Sequence, residues 1–149
     1  MAANIVVFFD IGNTLAVADF TSQGKLAGFR TFPFVIEILQ LLRHADRRLG
    51  IISNTGKETS ESVKKLLKQA GLLEHFEPAL LLFSSTEGID KTKPEFFALA
   101  AKRAGVPPTR CIYVGEDDKE RQTARAASFK VAFHALHVFD VIEQMPNSI

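Results

Sequence analysis

Ile5-Val6-Val7-Phe8-Phe9-Asp10-Ile11-Gly12-Asn13-Thr14 is the stretch that decides the fold. Its first five residues are β-branched or aromatic without alternation, the pattern of a strand buried on both faces of a parallel sheet. The run then breaks into Asp, Gly and Asn, residues that turn a chain. Comparable runs recur at Leu49-Gly50-Ile51-Ile52, Ala79-Leu80-Leu81-Leu82-Phe83, Cys111-Ile112-Tyr113-Val114 and Lys130-Val131-Ala132-Phe133. Between them the apolar residues take a helical period. Val35, Ile38, Leu39 and Leu42 follow Pro33, and Val63, Leu66, Leu67 and Ala70 precede Gly71. Further helices are expected from Pro94 to Gly105, over about 119–127 and over about 136–144. Five alternations of strand and helix predict an α/β domain with a mainly parallel sheet, helices on both faces and right-handed crossovers. The segment 15–32, with Gly24, Gly28 and scattered apolar residues, breaks the alternation and reads as a flap or short hairpin.

The chain has 149 residues, the size of one domain, expected to span 1–149. With 18 Lys and Arg against 17 Asp and Glu, the net charge of +1 gives no field to hold nucleic acid or an anionic membrane. A single cysteine, Cys111, excludes an internal disulfide and a thiolate metal site, as suits a reducing, cytoplasmic setting. Met1-Ala2-Ala3-Asn4 lacks the basic leader of a signal peptide, and no apolar run reaches the length of a membrane span.

Folds of this class bind ligands beyond the carboxyl ends of their strands, so the residues that follow each run are the candidates for chemistry. They are Asp10 to Thr14, then Ser53-Asn54-Thr55-Gly56, then Lys91 and Lys93 after Ser84-Ser85-Thr86-Glu87-Gly88, then Gly115-Glu116-Asp117-Asp118. Carboxylates for a divalent cation thus converge with hydroxyls and a lysine for phosphate oxygens.

These four stations, in this order and over nearly the whole chain, resemble the haloacid dehalogenase-like (HAD) hydrolase superfamily. Asp10, Gly12 and Thr14 match its Asp-x-Asp-x-Thr motif with Gly12 in the second aspartate's place. Ser53 with Asn54 matches the second motif, and Lys91-Thr92-Lys93-Pro94-Glu95-Phe96-Phe97 the third, with Lys91 in the lysine position and Lys93 as the alternative. Tyr113-Val114-Gly115-Glu116-Asp117, followed by Glu120 and Ala124-Arg125-Ala126-Ala127, resembles the fourth. The resemblance implies a three-layer Rossmann-like fold and a Mg²⁺-dependent phosphatase in which Asp10 is the nucleophile and forms an aspartyl-phosphate. It further implies that Mg²⁺ is held by Asp10, the Gly12 carbonyl and Glu116, with Asp117 competing for that place. Ser53, Asn54 and Lys91 would hold the phosphoryl oxygens.

Two departures bear on activity. Gly12 cannot perform the acid–base work of the second aspartate, a contribution of typically about 10²–10⁴-fold. Phosphonate hydrolases, dehalogenases and certain phosphatases of the superfamily work without that residue. Glu116 for aspartate lengthens the expected ligand by one methylene. Ser53 follows Asp10 by only 43 positions and Lys91 follows Ser53 by 38, which leaves no room for a cap domain in either gap. A capless member has an open site, suited to a phosphorylated macromolecule, a terminal phosphate on an extended ligand, or a small molecule enclosed by a second subunit. Phe20, Phe29, Phe32 and Phe34 are compatible with such a homo-oligomer.

The competing readings are an inactive HAD-fold module that binds phosphate or a protein, a phospho-receiver domain and a dehalogenase. A receiver needs an acidic pair after its first strand and an aspartate after its third, where this chain has Asp10 alone and Ser84-Ser85. Dehalogenases of the superfamily enclose the substrate under a cap. Thr55-Gly56-Lys57-Glu58-Thr59 is not a phosphate loop, because Ile51 occupies the position of its first glycine. Glu58, Thr59, Glu61 and Ser62 read as a helix start. His44, His75, His134 and His137 have no ligand spacing.

Overall fold

The computed structural model describes residues 4–146; the expectation for Met1-Ala2-Ala3 falls on residues outside them. Five strands form one parallel sheet: β1 (Val6–Phe9), β4 (Arg48–Ser53), β5 (Leu81–Phe83), β6 (Cys111–Val114) and β7 (Lys130–Ala132). Their order across the sheet is β5-β4-β1-β6-β7, which puts β1 at the centre. Every residue of β1 is buried, which is why its sequence shows no alternation.

Pleating nevertheless divides that strand between two cores. Val7 and Phe9 join Val35, Leu39 and Leu42 of α1 (Val35–His44), Val63 and Leu67 of α2 (Ser60–Gln69) and Val138 of α6 (His137–Glu143). Val6 and Phe8 pack with Phe96, Phe97 and Ala100 of α4 (Pro94–Ala104) and Ala124 of α5 (Asp118–Ala126). Three layers result, with no cap domain among the described residues. Gly50 in β4 is required by contact, since a Cβ there would stand 2.7 Å from both the Leu80 carbonyl oxygen and the Phe8 ring. Cys111 is fully buried in β6, and desolvation pushes its thiol up to about 12.

The helix ends follow local chemistry. Thr59 accepts a hydrogen bond from the Ser62 N–H and caps α2. Asp117 does the same for α5 through the Glu120 N–H. Pro94 opens α4 and Gly105, at φ 74°, closes it. The expected strand from Ala79 is shorter than its apolar run, because Pro78 starts a single tight turn over Pro78–Leu80 and pairing begins at Leu81. One further helical turn, α3 (Ser84–Glu87), follows β5.

The irregular segment is a hairpin, β2 (Ala16–Phe20) against β3 (Leu26–Thr31), outside the main sheet. Four contacts hold it, two to the α2 side and two within its own segment. The Phe32 N–H donates to the Leu15 carbonyl, the Thr31 hydroxyl to the Ala70 carbonyl, and the Leu26 N–H to the Glu58 carboxylate. Arg30 grips Asp19 with its Nε at 2.9 Å across the hairpin's own strands. No helix among the described residues is long and apolar enough to cross a membrane.

Candidate active site

Sheet register places the candidates at one edge. Phe9 pairs with Ile51 on one side and Val114 on the other, so β1, β4 and β6 end nearly level. Asp10 leaves the central strand with its N–H bonded to the Val114 carbonyl at 2.9 Å. Lys91 reaches it from the loop before α4, Nζ to Asp10 Oδ1 at 2.8 Å, with its side chain 2% exposed. The same ammonium lies 2.9 Å from Glu120 Oε1 and 3.0 Å from the Tyr113 hydroxyl, which itself donates to Glu120 Oε1 at 2.9 Å. Three oxygens therefore surround an ammonium that has three N–H donors.

Tyr113 reaches this point because of Gly115. A Cβ on Gly115 would sit 2.7 Å from the Tyr113 hydroxyl, so the glycine gives the phenol its passage. Burial is the largest influence raising the Tyr113 phenol, and the carboxylates of Asp10 and Glu120 push it further, so it remains a donor. Burial also raises the Asp10 carboxyl above its ordinary value, with the Lys91 charge pulling the other way. Two carboxylates against one ammonium leave the cluster with an excess of negative charge.

The remaining wall comes from the ends of β4 and β5. Ser53 is buried at the last position of β4. Asn54 accepts the Lys91 N–H with Oδ1 at 2.9 Å and so fixes the lysine's loop. The Thr55 N–H donates to Ser84 Oγ at 2.8 Å and its hydroxyl to Ser85 Oγ at 2.8 Å, which ties this loop to α3. Asp10, Gly12, Ser53, Asn54, Lys91 and Glu120 line one cavity of about 340 Å³. Its other side is apolar: Ala18 and Phe20 of β2, Leu26 and Phe29 of β3, and Val63 of α2, with Glu58 among them.

The structure thus brings Asp10, Gly12, Ser53, Asn54 and Lys91 together and leaves Lys93 exposed. Glu116 and Asp117 are exposed and do not line the cavity. Asp117 spends Oδ1 on the cap of α5, and that first turn carries Glu120 to Lys91 instead. Tyr113 and Glu120 lie in the stretch that resembles the fourth motif, where the sequence gives neither a role. Their signal was the spacing of a phenol two residues before Gly115 and a carboxylate in the first turn of the following helix. Glu58, read there as part of a helix start, belongs to the cavity lining.

No group of three or more His, Cys, Asp or Glu side chains among the described residues is arranged to hold a metal. The oxygens present nonetheless suit Mg²⁺, which takes one or two carboxylates and fills its octahedron with water and phosphate oxygens. Asp10 Oδ2 is not bonded to Lys91, and the N–H and carbonyl of Gly12 have no backbone partner among the described residues. Backbone groups in such a place need a ligand or water.

A family model for haloacid dehalogenase-like hydrolases matches residues 23–128, a span that holds Ser53, Lys91 and Glu120 and begins after Asp10. The phosphoglycolate phosphatase of Nitrosococcus oceani is 25% identical over 79% of this chain and 52% of its own length. The glyceraldehyde 3-phosphate phosphatase of Methanopyrus kandleri is 32% identical over 69% of this chain and 42% of its own. The chain therefore spans about half the length of the curated relatives it matches. A HAD-superfamily hydrolase from Ehrlichia chaffeensis superposes with a TM-score of 0.71 over 97% of this chain and 98% of that one, at 16% identity. That likeness concerns the fold alone. With more than half of its length matched and the sheet assembled around Asp10 and Lys91, the chain belongs to the haloacid dehalogenase-like hydrolase family.

Proposed function

We propose that this chain is a phosphoric monoester hydrolase in which Asp10 attacks phosphorus. The observation that carries the reading is the 2.8 Å pair of Lys91 with Asp10 at the centre of a cavity lined by Ser53, Asn54 and Gly12. Lys91 holds one carboxylate oxygen and leaves Oδ2 as the nucleophile. The Ser53 hydroxyl and the Asn54 amide NH₂ donate to the phosphoryl oxygens. A bond forms between the Asp10 carboxylate and phosphorus, the ester P–O bond breaks, and the departing alkoxide takes its proton from water, since Gly12 offers none. A second water then attacks phosphorus, releases phosphate and restores Asp10. Lys91 and Tyr113 keep Asp10 and Glu120 in place throughout.

Asp10 and the Gly12 carbonyl, with a carboxylate from the segment 116–120, would hold Mg²⁺. When bound there it would offset the repulsion between the phosphate and the carboxylates and stabilise charge on the transferring group. The phosphatase activities for which the relatives are named support the phosphatase class. The substrate is a phosphorylated small molecule or the phosphorylated end of a macromolecule.

Gly12 favours one other reading, a weak or inactive module that keeps phosphate binding. Hydrolysis of an aryl phosphate by the purified chain, with and without Mg²⁺ and beside Asp10→Asn, separates the two. The expected result is metal-dependent turnover lost in the variant. Turnover no higher than that of Asp10→Asn would overturn the enzymatic reading in favour of the binding module.

A further inference from the structure

The hairpin side of the cavity has a chemistry that the phosphate side does not need. Phe20, Leu26 and Phe29 present apolar surface there, joined by Val63 from α2. One charged group stands among them, the carboxylate of Glu58, whose Oε2 accepts the Leu26 N–H at 3.3 Å. Lys91 is the one cation in the cavity lining, and its ammonium is already surrounded by Asp10, Glu120 and Tyr113. Lys25 and Lys57 line a neighbouring depression that shares Glu58, not this cavity.

We propose that this surface selects the alcohol part of the ester. The chain takes phosphate monoesters whose alcohol is apolar and bulky, and it discriminates against those whose alcohol carries a carboxylate. The inference rests on the phosphatase reading and deepens it. An apolar group laid on Phe20, Leu26 and Phe29 leaves water for apolar contact. A carboxylate in the same place would be desolvated against those side chains, repelled by Glu58, and given no free cation. The wall is held in advance of binding, because Glu58 and the Ala70 carbonyl both tie β3 to the α2 side. The preference thus runs against the acidic substrate named for the phosphoglycolate phosphatase relatives.

The test compares benzyl phosphate with 2-phosphoglycolate, both esters of alkyl alcohols, with Mg²⁺ present. We expect kcat/KM to favour benzyl phosphate by about 10–200-fold, the range a hydrophobic pocket delivers. Glu58→Gln is expected to narrow the gap by raising the rate on phosphoglycolate. Phe20→Ser, a change at a side chain 62% exposed and therefore safe for folding, is expected to narrow it by slowing benzyl phosphate. Equal or better turnover of phosphoglycolate overturns the proposal while leaving the phosphatase reading intact.

If neither these esters nor the aryl phosphate is turned over, the phosphatase reading fails by itself, and binding of the non-hydrolysable 2-phenylethylphosphonate and 3-phosphonopropionate decides the selectivity. Tighter binding of the phenylethyl compound upholds it. Equal or weaker binding, or none of either, overturns it.

Discussion

Two regions meet at the cavity and are built in opposite ways. On the sheet side, Asp10, Lys91, Tyr113 and Glu120 form a closed network in which the phenol donates to a carboxylate and the ammonium touches three oxygens. On the other side, the β2–β3 hairpin is exposed along much of its length and rests on a few moorings. The groups proposed to react are thus held by the fold itself. What surrounds the rest of the ligand is held by a part that can change without disturbing the core.

Lys91→Met is the strongest way to break that contrast. It leaves Asp10 and Glu120 facing each other without their cation, and losing one partner of a buried pair costs about 3–5 kcal/mol. The low end applies, because the two carboxylates keep 16% and 24% of their side-chain exposure. A urea-denaturation midpoint measures it, and an unchanged midpoint would refute the central role given to the ammonium. Tyr113→Phe is milder. Removing the hydroxyl deprives Lys91 and Glu120 of one partner each, an expected loss of about 1–3 kcal/mol. In the aryl phosphate assay kcat should fall more than KM rises, because the phenol orients the charged groups and touches no substrate.

Acid separates the two regions. His75 is buried next to α2, and desolvation lowers its pKa below the ordinary 6.5. Below pH 6.5 the unfolded chain takes the proton before the folded one does, so this residue's contribution to stability is lost as pH falls. Asp19 in the hairpin is held below its ordinary 3.8 by Arg30, and its contribution persists until pH drops past 3.8. Between those limits acid should weaken the core and spare the hairpin's ion pair. A series of Tm measurements from pH 7.5 to 4.5 should show a steeper decline for the natural chain than for His75→Gln; parallel curves would contradict this. The smallest effect belongs to Asp19→Asn. It should leave the global midpoint unmoved and merely speed hydrogen exchange at the hairpin amides.

Most of the sheet was legible because burial on both faces writes a continuous apolar run, as in Val6–Phe9 and Cys111–Val114. The helices were legible from their period. The order β5-β4-β1-β6-β7 was not, since partner choice depends on which edges meet in space. Arg48 shows the same limit: from within β4 it binds Glu77 and the Ala104 carbonyl, partners 29 and 56 residues away in the chain. At the candidate site, spacing led to Asp10, Ser53, Asn54 and Lys91. It could not tell Glu116 and Asp117 from Glu120, because a helix cap and one turn of rotation decide which carboxylate faces the lysine. Nor could it join Glu58 to Phe20, Leu26 and Phe29, which meet only after the hairpin folds onto α2.

Cys111 gives the molecule an internal clock. The chain's lone thiol lies in the middle of the molecule with its ionisation pushed up to about 12, so no alkylating reagent acts on it while β6 stays in the sheet. The rate of thiol labelling therefore reports how often the central sheet opens, without a dye, a tag or an engineered probe.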